Sequence, residues 1–364
     1  MNVASSIKSG IDNLLENCLE LNPGQSLTII REPSDLDYYS PTLPDTIAAR
    51  AAEVGITTKM VVAPFHEATE TLPEIISTAI ERSHKALFLA RIGDQVRFSG
   101  LLNHGGIAMC CALDEQTFAT DFCSADYRFF VMLKHKVNEA VFGHKTITIR
   151  CREGTHLVGV SPLSYADDDA YDVGFKRFPL NIFRPVDAST FSGRLAISKW
   201  LSPTGSRFYQ PDGVLIDGVV FANVQNGRIT NFEGSRNDVE KIESHYEFVS
   251  ERYNIDGSII HSWHAGIHPQ NGYAGLAAHN LTRWSGAAFG NPRYLHLHSC
   301  GNYPPGEICI SVFDPTIIAD DTVLWDNGRL AFADTSEIRE LMQAHPGMTA
   351  LFDNPQRDFG LGEP

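Results

Sequence analysis

The chain reads as an α/β protein in two parts, a Rossmann-like N-terminal lobe over residues 1–145 and a β-rich α+β domain over residues 146–364. Three observations predict this. Up to about residue 145, apolar β-branched runs alternate with longer segments of helical period, the pattern of strand–helix–strand units and a mostly parallel sheet. From Thr146 onward, strand follows strand. A chain of 364 residues, 43% hydrophobic and 20% charged, has ordinary globular composition over more length than one core usually organises.

In order along the chain, the amphipathic stretch 3–20 predicts a helix, and Pro23-Gly24 separates it from a strand over 26–32. A helix over 44–54 stops at Gly55 before a strand over 57–64, and a helix over 72–83 precedes strands over 85–92 and 104–113. No GxGxxG or Walker sequence stands at a strand-to-helix turn, so nucleotide binding is not indicated. The long segment 121–142 reads as a helix ending at Gly143. Beyond the strand 146–151, Asn226-Gly227 signals a hairpin, 235–253 a charged helix, Asp326-Asn327-Gly328 a second hairpin turn and 336–344 a final helix.

A formal charge of −15 repels phosphate backbones and anionic lipid, so a small molecule or a peptide is the expected partner, and neither nucleic acid nor a membrane. No window approaches the ~18 apolar residues of a membrane span, and the N-terminus lacks a signal-peptide core, which makes a cytoplasmic location the expectation. The cysteines (Cys18, Cys110, Cys111, Cys123, Cys151, Cys300 and Cys309) form no CxxC pair and read as buried thiols.

The densest chemical signal is a run of histidines, His261, His264, His268, His279, His296 and His298. His296 and His298 lie two apart in a strand, so both side chains leave one face. Asp314 follows in the next strand, and two imidazoles with a carboxylate form a ligand set used with Fe(II) and Zn²⁺. The alternative is a polar hydrogen-bonded pocket or a solvated strand face. Asp167-Asp168-Asp169 reads as a solvated loop, because successive carboxylates point different ways. Lys199, Arg207 and Arg293 carry the charge to clamp a substrate carboxylate, against ordinary pairing.

The run DGVLIDGVVFANVQNGRITNFEG, then GSIIHSWHAGIHP, HLHSCGNYPPG and SVFDPTI, resembles the metallo-aminopeptidases of the aminopeptidase T type and their relatives, the iron-dependent 2,5-dihydroxypyridine dioxygenases. The resemblance covers roughly residues 205–325. It implies that His296 binds metal and that Tyr303, seven residues on and followed by Pro304, is catalytic. The H-x-D strand of both groups reads here Val312-Phe313-Asp314, so Asp314 is the implied ligand and Val312 replaces a histidine. A further ligand aligns near His261-Ser262-Trp263-His264, with Ser262 at the equivalent position, and a glutamate of the aminopeptidases has no counterpart around 187–193. Two functions follow. One is a metal-dependent enzyme, dioxygenase-like or hydrolase-like, with a single Fe or Zn on His296 and Asp314 supplemented by His298, His264 or His261. The other is a metal-free peptide- or small-molecule-binding protein of a peptide natural-product pathway. A homodimer or larger closed oligomer is the default for such folds.

Overall fold

A computed structural model describes residues 6–65, 72–96, 106–164, 175–203, 209–302 and 306–362. Strand β1 (Ser26–Arg31) pairs in parallel with β2 (Thr57–Val62) on one side and β3 (Lys85–Leu89) on the other. Strand β4 (Ile107–Cys110) adds beyond β3. The inner strands β1, β3 and β4 are apolar runs buried on both faces, as parallel strands sheltered by helices must be. The helices Leu43–Glu53 and Glu74–Glu81 make the crossovers on either side of β2.

Strands β5 (Thr146–Arg150) and β6 (His156–Val160) form a hairpin in a second sheet, and β7 (Lys176–Phe178) then re-enters the first, parallel to β4. Counted within its own sheet, the first layer runs 2-1-3-4-5. The dinucleotide-binding Rossmann order is 3-2-1-4-5-6. The Rossmann-like expectation therefore reduces to a parallel sheet with connecting helices. The return of β7 also changes the division of the chain. Two compact units form, Met1–Val131 with Ala166–Asn181 and His345–Leu351, and Met132–Tyr165 with Ile182–Ala344 and Phe352–Pro364, where the sequence suggests one cut near residue 145.

The second sheet is antiparallel throughout. It adds β8 (Val186–Asp187), β9 (Ser192–Ser202), β10 (Val214–Gln225), β11 (Arg228–Glu233), β12 (Ile260–Ala265), β13 (Tyr294–Cys300), β14 (Glu307–Phe313), β15 (Thr316–Ala319) and β16 (Thr322–Trp325). The order is β16-β15-β5-β6-β9-β14-β13-β12-β8, with β10 on β9 and β11 on β10. The β10–β11 turn uses Asn226 and Gly227 at φ 49° and 69°, which the primed hairpin turn requires. A Cβ at Gly227 would stand 2.7 Å from the Ala188 carbonyl oxygen, so this position also excludes a side chain sterically. Asn327 and Gly328 likewise take positive φ, but only a bridge from Asp326 to Arg329 follows, then a 3₁₀ turn, so the second expected hairpin is a turn with one strand.

Two helices depart from expectation for identifiable reasons. The N-terminal one starts at Ile7, capped by Ser6, and widens into a π-helix over Asn13–Cys18. The 121–142 segment breaks into Asp121–Ser124 and Tyr127–Val141, with Ala125 extended. Asn13 accounts for the break. It is buried, its Nδ2 donates to the carbonyls of Cys123 and Ala125 at 2.7 Å each, and its Oδ1 accepts from the Tyr127 N–H at 3.1 Å. One side chain thus satisfies the backbone groups that a continuous helix would have satisfied itself. Among the described residues, no helix is long and apolar enough to cross a membrane.

Asn13→Leu leaves three buried backbone groups without partners and is expected to lower stability by about 2–4 kcal/mol in urea unfolding. An unchanged midpoint would show that the break in the helix has another origin. In the second unit, the helix Arg236–Tyr253 carries His245, 4% exposed, against the Tyr209 ring. Burial holds this imidazole down at about 4, with the opposing pull of Asp212 the smaller effect. Below about pH 6.5 the unfolded chain takes up a proton that the fold refuses, so stability is complete above that pH and falls as the pH drops toward 4, by up to about 3 kcal/mol. His245→Gln should flatten the pH dependence of the urea midpoint between pH 7.5 and 4.5. A variant with the wild-type slope would place the acid sensitivity elsewhere.

Candidate metal centre

Register assembles this site. Across β12 and β13, His264 stands opposite His296 and Ser262 opposite His298. Across β13 and β14, His296 stands opposite Ser311 and His298 opposite Cys309. Side chains alternate between faces along a strand, so His264, His296, His298, Ser311 and Cys309 share one face, with Tyr294 and Glu307 at its margins. The other face of the same strands carries Trp263, Leu295, Leu297, Ile310 and Val312, all buried.

His264, His296 and His298 each bring a ring nitrogen within 4.8 Å of the others. The Nε2 atoms of His264 and His296 are 2.7 Å apart, so one ring donates its N–H to the bare nitrogen of the other. His298 stacks on His264 with ring centroids 5.0 Å apart at 25°, and its Nδ1 is bonded to Glu307 Oε1. That carboxylate fixes the tautomer of His298, with the proton on Nδ1 and the lone pair on Nε2, an arrangement common behind metal-ligating histidines. A tetrahedral ion with Zn–N bonds of about 2.0–2.1 Å holds its nitrogens about 3.4 Å apart, wider than the 2.7 Å contact and inside the 4.8 Å that contains all three. The donor set therefore fits a divalent cation.

Apolar and aromatic groups shape the surroundings. The Tyr294 ring stacks on His296 at 5.2 Å and 19°, and Phe289 meets it edge-on at 6.3 Å. Behind Tyr294 lie Trp284, Phe313 and Phe359. Burial pushes the Tyr294 phenol well up, which keeps it neutral, and its hydroxyl lies 3.2 Å from Ser311 Oγ. Burial also pushes the Cys309 thiol well up. His264, His296, Glu307 and Cys309 are each under 5% exposed, whereas 13% of the His298 side chain remains open.

The structure brings together three of the histidines named by the sequence and separates the other residues. His261 lies in the bulge between Ile260 and Ser262, and its Nε2 donates to the Cys300 carbonyl at 2.9 Å, which ties the strand ends together. His268 is fully buried and its Nδ1 accepts from the Gln270 N–H, and His279 is exposed. Asp314 is engaged by a partner of its own. Its carboxylate is gripped by Arg293, Nε to Oδ1 at 2.6 Å and Nη2 to Oδ2 at 2.8 Å, and it stands past the end of β14 at φ 47°, where strand alternation no longer aims it. Arg293 is thereby a structural partner of Asp314. Val312 corrects the alignment in the same way: it lies opposite Leu295 on the apolar face, and the site-facing position across from His296 is Ser311. Tyr303, Arg207 and Asp167-Asp168-Asp169 fall outside the described residues. Glu307 and Cys309 carry no signal in the sequence beyond their alternation, which puts positions 307, 309 and 311 on one strand face.

No family model and no curated protein matches the chain. Among solved structures, it is similar to the 2,5-dihydroxypyridine dioxygenase of Pseudomonas putida KT2440, with a TM-score of 0.61 at 13% identity over 91% of this chain and 98% of the other. It is also similar to wild-type AmpT of Thermus thermophilus, with a TM-score of 0.51 at 10% identity over 89% and 98%. At such identities the likeness is one of fold, and the chain is a distant structural relative of both.

Proposed function

We propose that this chain is a metal-dependent enzyme in which a divalent cation held by His264, His296 and His298 acts on a small aromatic or peptide-derived substrate. The observation that carries the reading is the convergence of three imidazoles within 4.8 Å on one buried sheet face, with a carboxylate on the remote nitrogen of one ring. Three neutral imidazoles are a zinc ligand set that leaves one position open for water or substrate. The nearby carboxylates are engaged elsewhere, Glu307 on His298 Nδ1 and Asp314 on Arg293, so the three imidazoles are the donors at this position, which supports a zinc-type ion. Bound there, the ion supplies Lewis acidity, polarising a substrate oxygen or making bound water a nucleophile near neutral pH.

The protein's own groups have separable tasks. Glu307 holds the Nδ1 proton of His298 and presents the lone pair of Nε2. Tyr294 locks the His296 ring by stacking and contributes no charge. Trp284, Phe289 and Phe313 make the neighbourhood apolar, which strengthens every electrostatic contact inside it. The likeness to a dioxygenase fold supports a small aromatic substrate, and the AmpT likeness supports a peptide-derived one.

Zinc titration of chelator-stripped, untagged protein tests this reading. His264→Ala and His296→Ala should each abolish the tight binding event, and Glu307→Gln should weaken it by about 10–100-fold through loss of the orienting carboxylate. Asp314→Asn should leave zinc affinity unchanged. Ser311→His should tighten binding where Val312→His does not. Protons compete with the metal for imidazole nitrogen, so affinity should fall as the pH is lowered. Undiminished zinc binding by His296→Ala would end the proposal.

A further inference from the structure

Next to the three imidazoles, His298, Glu307 and Cys309 place a second set of ligand atoms within 4.8 Å of one another. Register explains the grouping, since Cys309 is the cross-strand neighbour of His298 and Glu307 lies two residues before it on the same face. All three belong to the second unit and come from two adjacent strands of one sheet, so their spacing is set by backbone pairing. Glu307 and Cys309 are 3% and 2% exposed, and 13% of the His298 side chain is open.

We propose that His298, Glu307 and Cys309 form a second cation position, adjoining the three-histidine position and selective for a thiophilic divalent ion of the zinc class. It shares His298 with the function proposed above and rests on that reading in this residue alone. The ring has two nitrogens and can serve both positions, with Nδ1 on the side of Glu307 and Nε2 left for the first position. A sulfur, a nitrogen and a carboxylate oxygen form a zinc-type donor set, and the sulfur discriminates against magnesium and calcium, which take oxygen ligands.

Protons balance as follows. With the first position filled, entry of the second ion releases two protons to solvent, one from His298 Nδ1 and one from the Cys309 thiol, and the ring becomes a bridging imidazolate. With the first position empty, the ring shifts its proton to Nε2, and only the thiol proton leaves. The carboxylate of Glu307 turns from hydrogen-bond acceptor to ligand in both cases. A thiolate that ligates a cation is fully deprotonated however strongly burial favours the free thiol.

The test is cobalt titration of the stripped full-length protein, followed by absorption, with zinc-edge X-ray absorption on the zinc-loaded form. Wild type should develop the thiolate-to-cobalt charge-transfer band in the near ultraviolet, and zinc should show a sulfur shell at about 2.3 Å. Cys309→Ser and Cys309→Ala should both lose the band, whereas Cys300→Ser should keep it. His264→Ala, which removes the first position, should also keep it. Absence of band and sulfur shell in wild type, or a band that persists in both Cys309 variants, overturns the proposal. Loss of the band in His264→Ala would mean a single shared ion and would also overturn it. Failure of the function proposed above would register differently, as a zinc stoichiometry in His264→Ala equal to that of wild type, where loss of one ion is expected.

Discussion

The pairing of His264 with His296 across β12 and β13 is the constraint on which the polar part of the second sheet depends. Side chains alternate with a period of two, so a slip of one residue would drive a strand's imidazoles into the face lined by Trp263, Leu295, Leu297 and Val312. Each unpartnered polar group buried there would cost several kcal/mol, roughly 1–3 by mutational measures. Several contacts hold the register. The Cys300 N–H donates to the Ile259 carbonyl at 2.9 Å, the Ile260 N–H to Gly227 at 2.8 Å, and His261 clasps Cys300 from the bulge. Trp263 meets Phe183 and Phe191 edge to face on the apolar side, so shifting β12 would also break that packing.

A layer of buried histidines is expensive unless something is shared among them. The 2.7 Å contact of His264 and His296 allows one proton between two nitrogens, and a second proton there would set two like charges in contact inside the protein. A divalent ion resolves the conflict by replacing protons with one centre that all the lone pairs can face. The same reasoning applies to His298 and Glu307, whose shared proton also lies between two potential ligand atoms. Metal binding and pH would therefore be coupled through the same nitrogens and oxygens. The stacked Tyr294 ring, neutral through burial, leaves that balance undisturbed.

Much of the fold was legible because burial writes its period into the chain. The strands at 26–31, 57–62, 85–89 and 107–110 lie within the apolar runs that predicted them, and Asn226-Gly227 turned where its backbone preference required. The break at Ala125 was not legible, because it depends on Asn13, more than a hundred residues away in sequence. At the site, the common face of His296 and His298 followed from spacing alone, while His264 joins them through a pairing that no local pattern encodes. Asp314 shows the opposite failure. It sits near the histidines in sequence, yet a left-handed backbone and the fork of Arg293 settle its position, and both are long-range facts of the fold. Val312 and Ser311 differ by one residue and hence by a whole face, which is why an alignment by segment order misses the site-facing position.

The first unit shows why ligand chemistry, among the described residues, gathers in the antiparallel sheet. In an open parallel sheet the usual ligand position lies beyond the carboxyl ends of the strands, where the strand order reverses. Here that point lies between β1 and β3, and the residues just past them are Glu32 and Arg91. The two side chains are 5% and 3% exposed and bonded at both oxygens, Nε to Oε1 at 2.8 Å and Nη2 to Oε2 at 2.9 Å. The guanidinium carbon also lies 4.6 Å from the ring centres of both Tyr38 and Phe65. A pair so desolvated adds little net stability, but removing either partner would strand a buried charge, so the arrangement is hard to open. Its donors and acceptors are turned on each other. At these strand ends the described Glu32 and Arg91 side chains are spent on each other, whereas the antiparallel sheet keeps imidazoles, a carboxylate and a thiol within reach of one another on a single face.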